Sequence, residues 1–65
     1  MITINGQPVK NVERITLQEY LVKEGYIPSC VAVECNGEIL PKDAYDRKQL
    51  QDGDLLEIIH FVGGG

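Results

Sequence analysis

The sequence predicts an α+β domain in which a mixed sheet of about four to five strands wraps over one helix. Three observations carry that expectation. Apolar residues alternate with period two in Ile2 to Ile4 and Val31 to Cys35, and Leu55 to Val62 is a long apolar, strand-like run. One stretch instead repeats Leu17, Tyr20 and Leu21 at helical spacing. Asn-Gly dipeptides stand at positions 5–6 and 36–37, each between two extended runs.

The first strand is MITIN, with Ile2 and Ile4 facing inward and Thr3 outward. Asn5 to Pro8 reads as a turn, after which Val9 to Val12 resumes an extended run antiparallel to the first. Thr16 followed by Glu19 is a capping box: the hydroxyl takes one orphan N–H of the helix start and the carboxylate reaches back for another. Gly25 ends the helix in left-handed geometry, and Pro28 prevents its resumption. Val31, Val33 and Cys35 then share one face of a strand, with Ala32 and Glu34 on the other. Asn36-Gly37 suits a type I′ turn, and Ile39 and Leu40 form a short returning strand that Pro41 stops. Pro41 to Leu50 is polar and irregular, with a single helical turn near Asp43 to Tyr45. Gln51 to Asp54 is a turn, and the run that follows is the longest apolar one in the chain. As the most apolar strand it is expected in the centre of the sheet, beside the first. The order amounts to a β-grasp, ubiquitin-like arrangement over residues 1–62, followed by a flexible glycine tail at 63–65.

Size and composition narrow the function. A chain of 65 residues buries only about 60% of its unfolded surface, which leaves no room for a deep pocket and weighs against a self-contained enzyme. Ten acidic residues against six basic ones, a net charge of -4, and no basic run argue against nucleic acid and favour a partly basic partner surface. No apolar stretch approaches the roughly 20 residues of a membrane span, and MITINGQPVK has neither the basic nor the apolar region of a signal peptide, so the cytoplasm is expected. Cys30 and Cys35 are too few for a disulfide scaffold. Five residues apart along one strand, they point to opposite faces, Cys35 into the core and Cys30 at the strand's exposed start. His60 is the sole histidine and has no second metal ligand at a recognisable spacing, so no metal site is expected. Asp43, Asp46, Asp52 and Asp54 lie in turn-like sequence, where aspartate caps and Asx turns account for them.

The end of the chain carries the functional signal. Glu57 argues that its own face of the final strand meets water, which leaves Ile59 and Phe61 as exposed apolar residues, a docking patch for a partner; the polar His60 on the other face leaves the opposite placement open. Beyond them Gly63, Gly64 and Gly65 reach roughly 10 Å when extended, and without Cβ atoms they thread a channel too narrow for other residues. The group they deliver is the α-carboxylate of Gly65, an anion at neutral pH with an ordinary pKa of about 3.3–3.7. It is a poor electrophile until activated, for example as a mixed anhydride with AMP. A linker remnant is the competing account of the glycines.

Five segments, ITINGQ, TLQEYL, VAVECNGEILPK, LQDGD and IIHFVGGG, stand in the order and at the spacing of a known family. Together they resemble the ThiS family, the small sulfur carrier proteins of thiamine biosynthesis, over essentially the whole length. That family usually finishes on two glycines, matched by Gly64 and Gly65, with Gly63 as an additional one. The resemblance implies a protein co-substrate with no catalysis and no bound cofactor of its own. An adenylating activating enzyme of the ThiF type would use ATP and Mg to convert the Gly65 carboxylate to an acyl-adenylate. Persulfide sulfur from a donor such as a cysteine desulfurase would replace the adenylate, giving a thiocarboxylate that donates sulfur to a thiazole synthase of the ThiG type. The small subunit of molybdopterin synthase shares the implied fold and tail and is the nearest alternative. A ubiquitin-like modifier or binding module is a second.

Overall fold

The strongest local signal of the chain becomes its one α-helix, α1 (Leu17–Lys23), in a computed structural model that describes residues 1–60. Thr16 caps it as expected: its Oγ1 accepts the Glu19 N–H at 3.0 Å, and Glu19 Oε1 accepts the Thr16 N–H at 2.8 Å. The two remaining orphan donors of the first turn are met from a distance. Leu17 N–H donates to the carbonyl of Lys48 at 2.8 Å and Gln18 N–H to that of Tyr45 at 2.9 Å. Gly25, at φ +87°, ends the helix in the left-handed region where a side chain would be strained. Pro28 opens a 3-10 turn, Pro28–Cys30, in place of further helix.

Five strands form one mixed sheet: β1 (Ile2–Ile4), β2 (Gln7–Val9), β3 (Val31–Cys35), β4 (Glu38–Ile39) and β5 (Leu55–His60), in the order β2-β1-β5-β3-β4. The last strand is central, as its apolar run predicts, parallel to β1 and antiparallel to β3. The β-grasp topology is thus present, with Ile2, Ile4, Val31, Val33, Leu56 and Ile58 of the sheet buried against Leu17, Tyr20 and Leu21 of the helix.

Several expectations shift. The first turn closes in two residues, Asn5 (φ 51°) and Gly6 (φ 79°), so the return strand starts at Gln7 and not at Val9. Pro8 is tolerated there because β2 is an edge strand, where a missing N–H breaks no ladder on the solvent side. For the same reason β4 begins at Glu38, directly after the Asn36-Gly37 turn, and not at Ile39. Cys30 belongs to the 3-10 turn and not to the strand. It is half-buried, Cys35 is buried, and both are free thiols.

The largest correction concerns Pro41 to Leu50, read from sequence as polar and irregular. Its expected helical turn is a 3-10 turn at Lys42–Ala44, but the segment also supplies core. Tyr45 and Leu50 are fully buried, and the Tyr45 hydroxyl donates to the Val31 carbonyl at 3.0 Å, which also receives Lys42 Nζ at 3.0 Å. Burial raises the Tyr45 phenol above its ordinary pKa. Among the described residues no helix is long and apolar enough to cross a membrane.

Candidate functional site

The site expected from sequence begins on β5, whose described part ends at His60. Main-chain pairing with β1 covers only Thr3 with Leu55 and Ile4 with Leu56, whereas β3 accompanies the strand as far as His60, opposite Val31. Beyond the end of β1 the side chain of Asn5 takes over: its Oδ1 accepts the Ile58 N–H at 2.7 Å. The positive φ of Asn5 turns the chain into β2 while the same residue extends the ladder by one bond.

A matching arrangement holds the start of β5 from the other side. Asn36, also at positive φ, accepts the Leu55 N–H at 3.0 Å through Oδ1 and donates to Asp54 Oδ1 at 3.1 Å through Nδ2. Asp54 is 6% exposed. Its Oδ2 accepts the Gln51 N–H at 2.9 Å and pairs with Lys48 Nζ at 3.0 Å. Burial pushes the carboxyl pKa up. The hydrogen bonds from Gln51, Lys48 and Asn36, with the Lys48 charge, outweigh it and hold Asp54 below its ordinary value. Sequence reasoning identified a turn aspartate here but not its partners. Asparagine at both Asn-Gly turns, where glycine would also satisfy the backbone, was the available signal.

The two faces of β5 separate as Glu57 indicates. Leu56 and Ile58 are buried under the helix, while Leu55, Glu57 and Ile59 stand on the open face. Ile59 lies opposite Ala32 of β3. His60, on the helix-side register, is exposed and meets Tyr26 edge-on, with ring centroids 6.3 Å apart at 75°. Phe61, Gly63, Gly64 and Gly65 lie outside the described residues. Among those that are described, no three His, Cys, Asp or Glu side chains gather closely enough to hold a metal ion. A shallow depression lined by Met1, Lys10, Asn11 and Glu13 lies at the opposite end of the sheet, where Met1 adjoins Asp52 and Gly53. What the described end of β5 presents is a strand with an open, partly apolar face.

Comparison with known proteins agrees with the fold. The chain matches the ThiS family over residues 2–65. It is 41% identical over 66 residues to the sulfur carrier protein ThiS of Bacillus subtilis, a match covering 100% of both chains. It is 38% identical over 64 residues to a thiazole synthase of Magnetococcus marinus, covering 98% of this chain and 20% of that protein's length. A crystal structure of the thiamine biosynthesis protein ThiS from Geobacter metallireducens is similar with a TM-score of 0.75 and 36% identity, covering 98% of this chain and 97% of that one.

Proposed function

Because this chain belongs to the ThiS family, we propose that it is a sulfur carrier of thiamine biosynthesis that bears its sulfur on the carboxylate of Gly65. The observation that carries this reading is the reach of the family match through residue 65, which takes in Gly63, Gly64 and Gly65. The similarity to a thiazole synthase supports the thiamine assignment over a molybdopterin one and suggests the acceptor.

The proposed chemistry needs no group on this chain beyond the carboxylate. On an activating enzyme of the ThiF type, a Gly65 oxygen attacks the α-phosphorus of Mg-bound ATP and pyrophosphate leaves, giving the acyl-adenylate. The terminal sulfur of a persulfide, supplied by a cysteine desulfurase, attacks the carbonyl and AMP departs. A thiol provides the electrons that break the remaining S–S bond, leaving the thiocarboxylate. Its sulfur, nucleophilic at neutral pH, attacks a carbonyl carbon of the substrate on a thiazole synthase of the ThiG type, and water then cleaves the resulting acyl–sulfur bond, which leaves the sulfur on the substrate and returns the carboxylate. The chain's own part is delivery: glycine imposes no steric block beside the reacting carbonyl, and Ile59 with Phe61 docks the partner.

Intact mass tests the proposal after incubation with ATP, Mg, an activating enzyme and a persulfide source. One oxygen is expected to be replaced by one sulfur, and deletion of Gly65 abolishes the change. Thiazole formation on adding the synthase follows. An unchanged mass with partner enzymes shown to be active refutes the carrier role.

A further inference from the structure

The open face of the sheet carries an unbalanced charge inside an apolar surround. Glu34 of β3 and Glu57 of β5 are direct cross-strand partners and therefore emerge side by side on that face. Like charges so placed repel and destabilise the sheet. Around them stand Ile39, which pairs with Glu34 in the β4 register, and Leu55 and Ile59 on β5. These three are 74%, 54% and 52% exposed. The remaining strand residues of the face are Thr3, Pro8 and Ala32, so among the described strands it holds two carboxylates and no lysine or arginine. Neither glutamate has an ion-pair partner among the described residues.

The chemistry of this patch selects its occupant. A second copy applied through the same face would bring four carboxylates together, and an anionic membrane surface would meet the same repulsion. A purely apolar partner would bury two unpaired carboxylates, which is costly. An arginine fits: its planar guanidinium donates to two carboxylates at once, is weakly hydrated, and is a preferred cation at the centre of an interface. We infer that Glu34 and Glu57 receive an arginine side chain of the thiazole synthase, while Ile39, Leu55 and Ile59 form the apolar collar that excludes water around it. The inference rests on the sulfur-carrier reading. It takes the thiazole synthase as partner because that is the enzyme in which a relative of this segment is found. Three residues of the patch, Leu55, Glu57 and Ile59, stand on β5, the strand that precedes the glycines in sequence.

The experiment sets binding against folding. Affinity for the cognate thiazole synthase and for the activating enzyme is measured over a salt series for the intact chain, for Glu34→Gln with Glu57→Gln, and for Glu57→Lys. Urea midpoints are recorded for each. Removing the repulsion raises or preserves the midpoint, whereas affinity for the synthase falls about tenfold or more and loses most of its salt dependence. Glu57→Lys, which gives Glu34 a cross-strand counterion, is the most stable and the weakest binder. Affinity and salt dependence unchanged in the double variant overturn the inference, as does a loss confined to the activating enzyme. Replacement of oxygen by sulfur in the intact chain is followed in parallel. Its absence overturns the carrier reading, whereas its presence with unaltered binding of the variants overturns the docking inference alone.

Discussion

The side chain of Asn5 is bonded to the main chain of Ile58, Oδ1 to N–H at 2.7 Å across 53 positions of sequence. One residue thereby turns β1 into β2 and carries the β1–β5 ladder one bond past the end of β1. The two roles separate by substitution. Asn5→Gly keeps the positive φ but loses the bond, costing about 0.5–1.5 kcal/mol. Asn5→Ala loses the bond as well and lacks the side-chain amide that lets asparagine occupy the left-handed region, so it should cost about 1–2 kcal/mol more than glycine there. Urea unfolding should rank native above glycine above alanine, and amide exchange at Ile58 should accelerate in both variants. Equal stability of the two variants would refute the division.

Acid sensitivity is expected to trace to Asp54. Its folded-state pKa is depressed, because the bonds from Gln51, Lys48 and Asn36 and the Lys48 charge outweigh burial. The stability it contributes is therefore fully present above the unfolded carboxylate value, about 3.9. It is lost as pH falls through the lower folded value. Asp54→Asn should cost about 1–3 kcal/mol at neutral pH and flatten the stability curve across that acid window. A curve of unchanged slope in the variant would assign the acid transition to other carboxyls.

Tyr45 is expected to act mainly by volume. Tyr45→Phe removes the bond to the Val31 carbonyl, which retains Lys42 Nζ as a donor, so the loss should stay near 0.5–1.5 kcal/mol, roughly the value of one hydrogen bond. Tyr45→Ala empties a fully buried site and should cost about 3–5 kcal/mol. Thermal unfolding of both variants measures the ratio, and a phenylalanine variant as unstable as the alanine one would make the hydroxyl the dominant element.

These positions also show what was legible in the chain. The helix start was, since Thr16 and Glu19 satisfy each other within four residues and leave a signature in residue type. The centrality of β5 was legible too, because only a strand covered on one face and paired on both edges accommodates so apolar a run. The place of Tyr45 and Lys48 was not. They meet the helix start through their carbonyls, and a carbonyl is the same in every residue. Asp54 was half legible: its bond to the Gln51 N–H is local, but Asn36 lies 18 positions away and nothing in residue type couples them. Glu57 pointed to the open face that bears Ile59, while His60, polar and exposed on the other register, left the opposite placement open until burial of Leu56 and Ile58 decided it. Phe61 and the glycines lie outside the described residues.

Neighbouring isoleucines on β5 give the sharpest separation of fold from proposed function. Ile58 points under the helix and is 8% exposed, whereas Ile59 points to the open face. Ile58→Ala leaves a cavity in a small core and should cost about 2–5 kcal/mol, a large share of the roughly 5–15 kcal/mol that holds a domain folded. Ile59→Ala removes an apolar side chain already half in water and should change stability by no more than about 0.5 kcal/mol. If the open face docks the partner enzymes, the order reverses in function. The Ile59 variant stays folded but accepts sulfur slowly at limiting enzyme, with the defect relieved at saturation, because docking and not chemistry is impaired. The Ile58 variant recovers its rate of sulfur gain once conditions restore its folded population, since its open face is intact. A rate for Ile59→Ala equal to that of the native chain at limiting enzyme would remove this residue from the docking surface, while a stability loss matching that of Ile58→Ala would contradict the assignment of faces on β5.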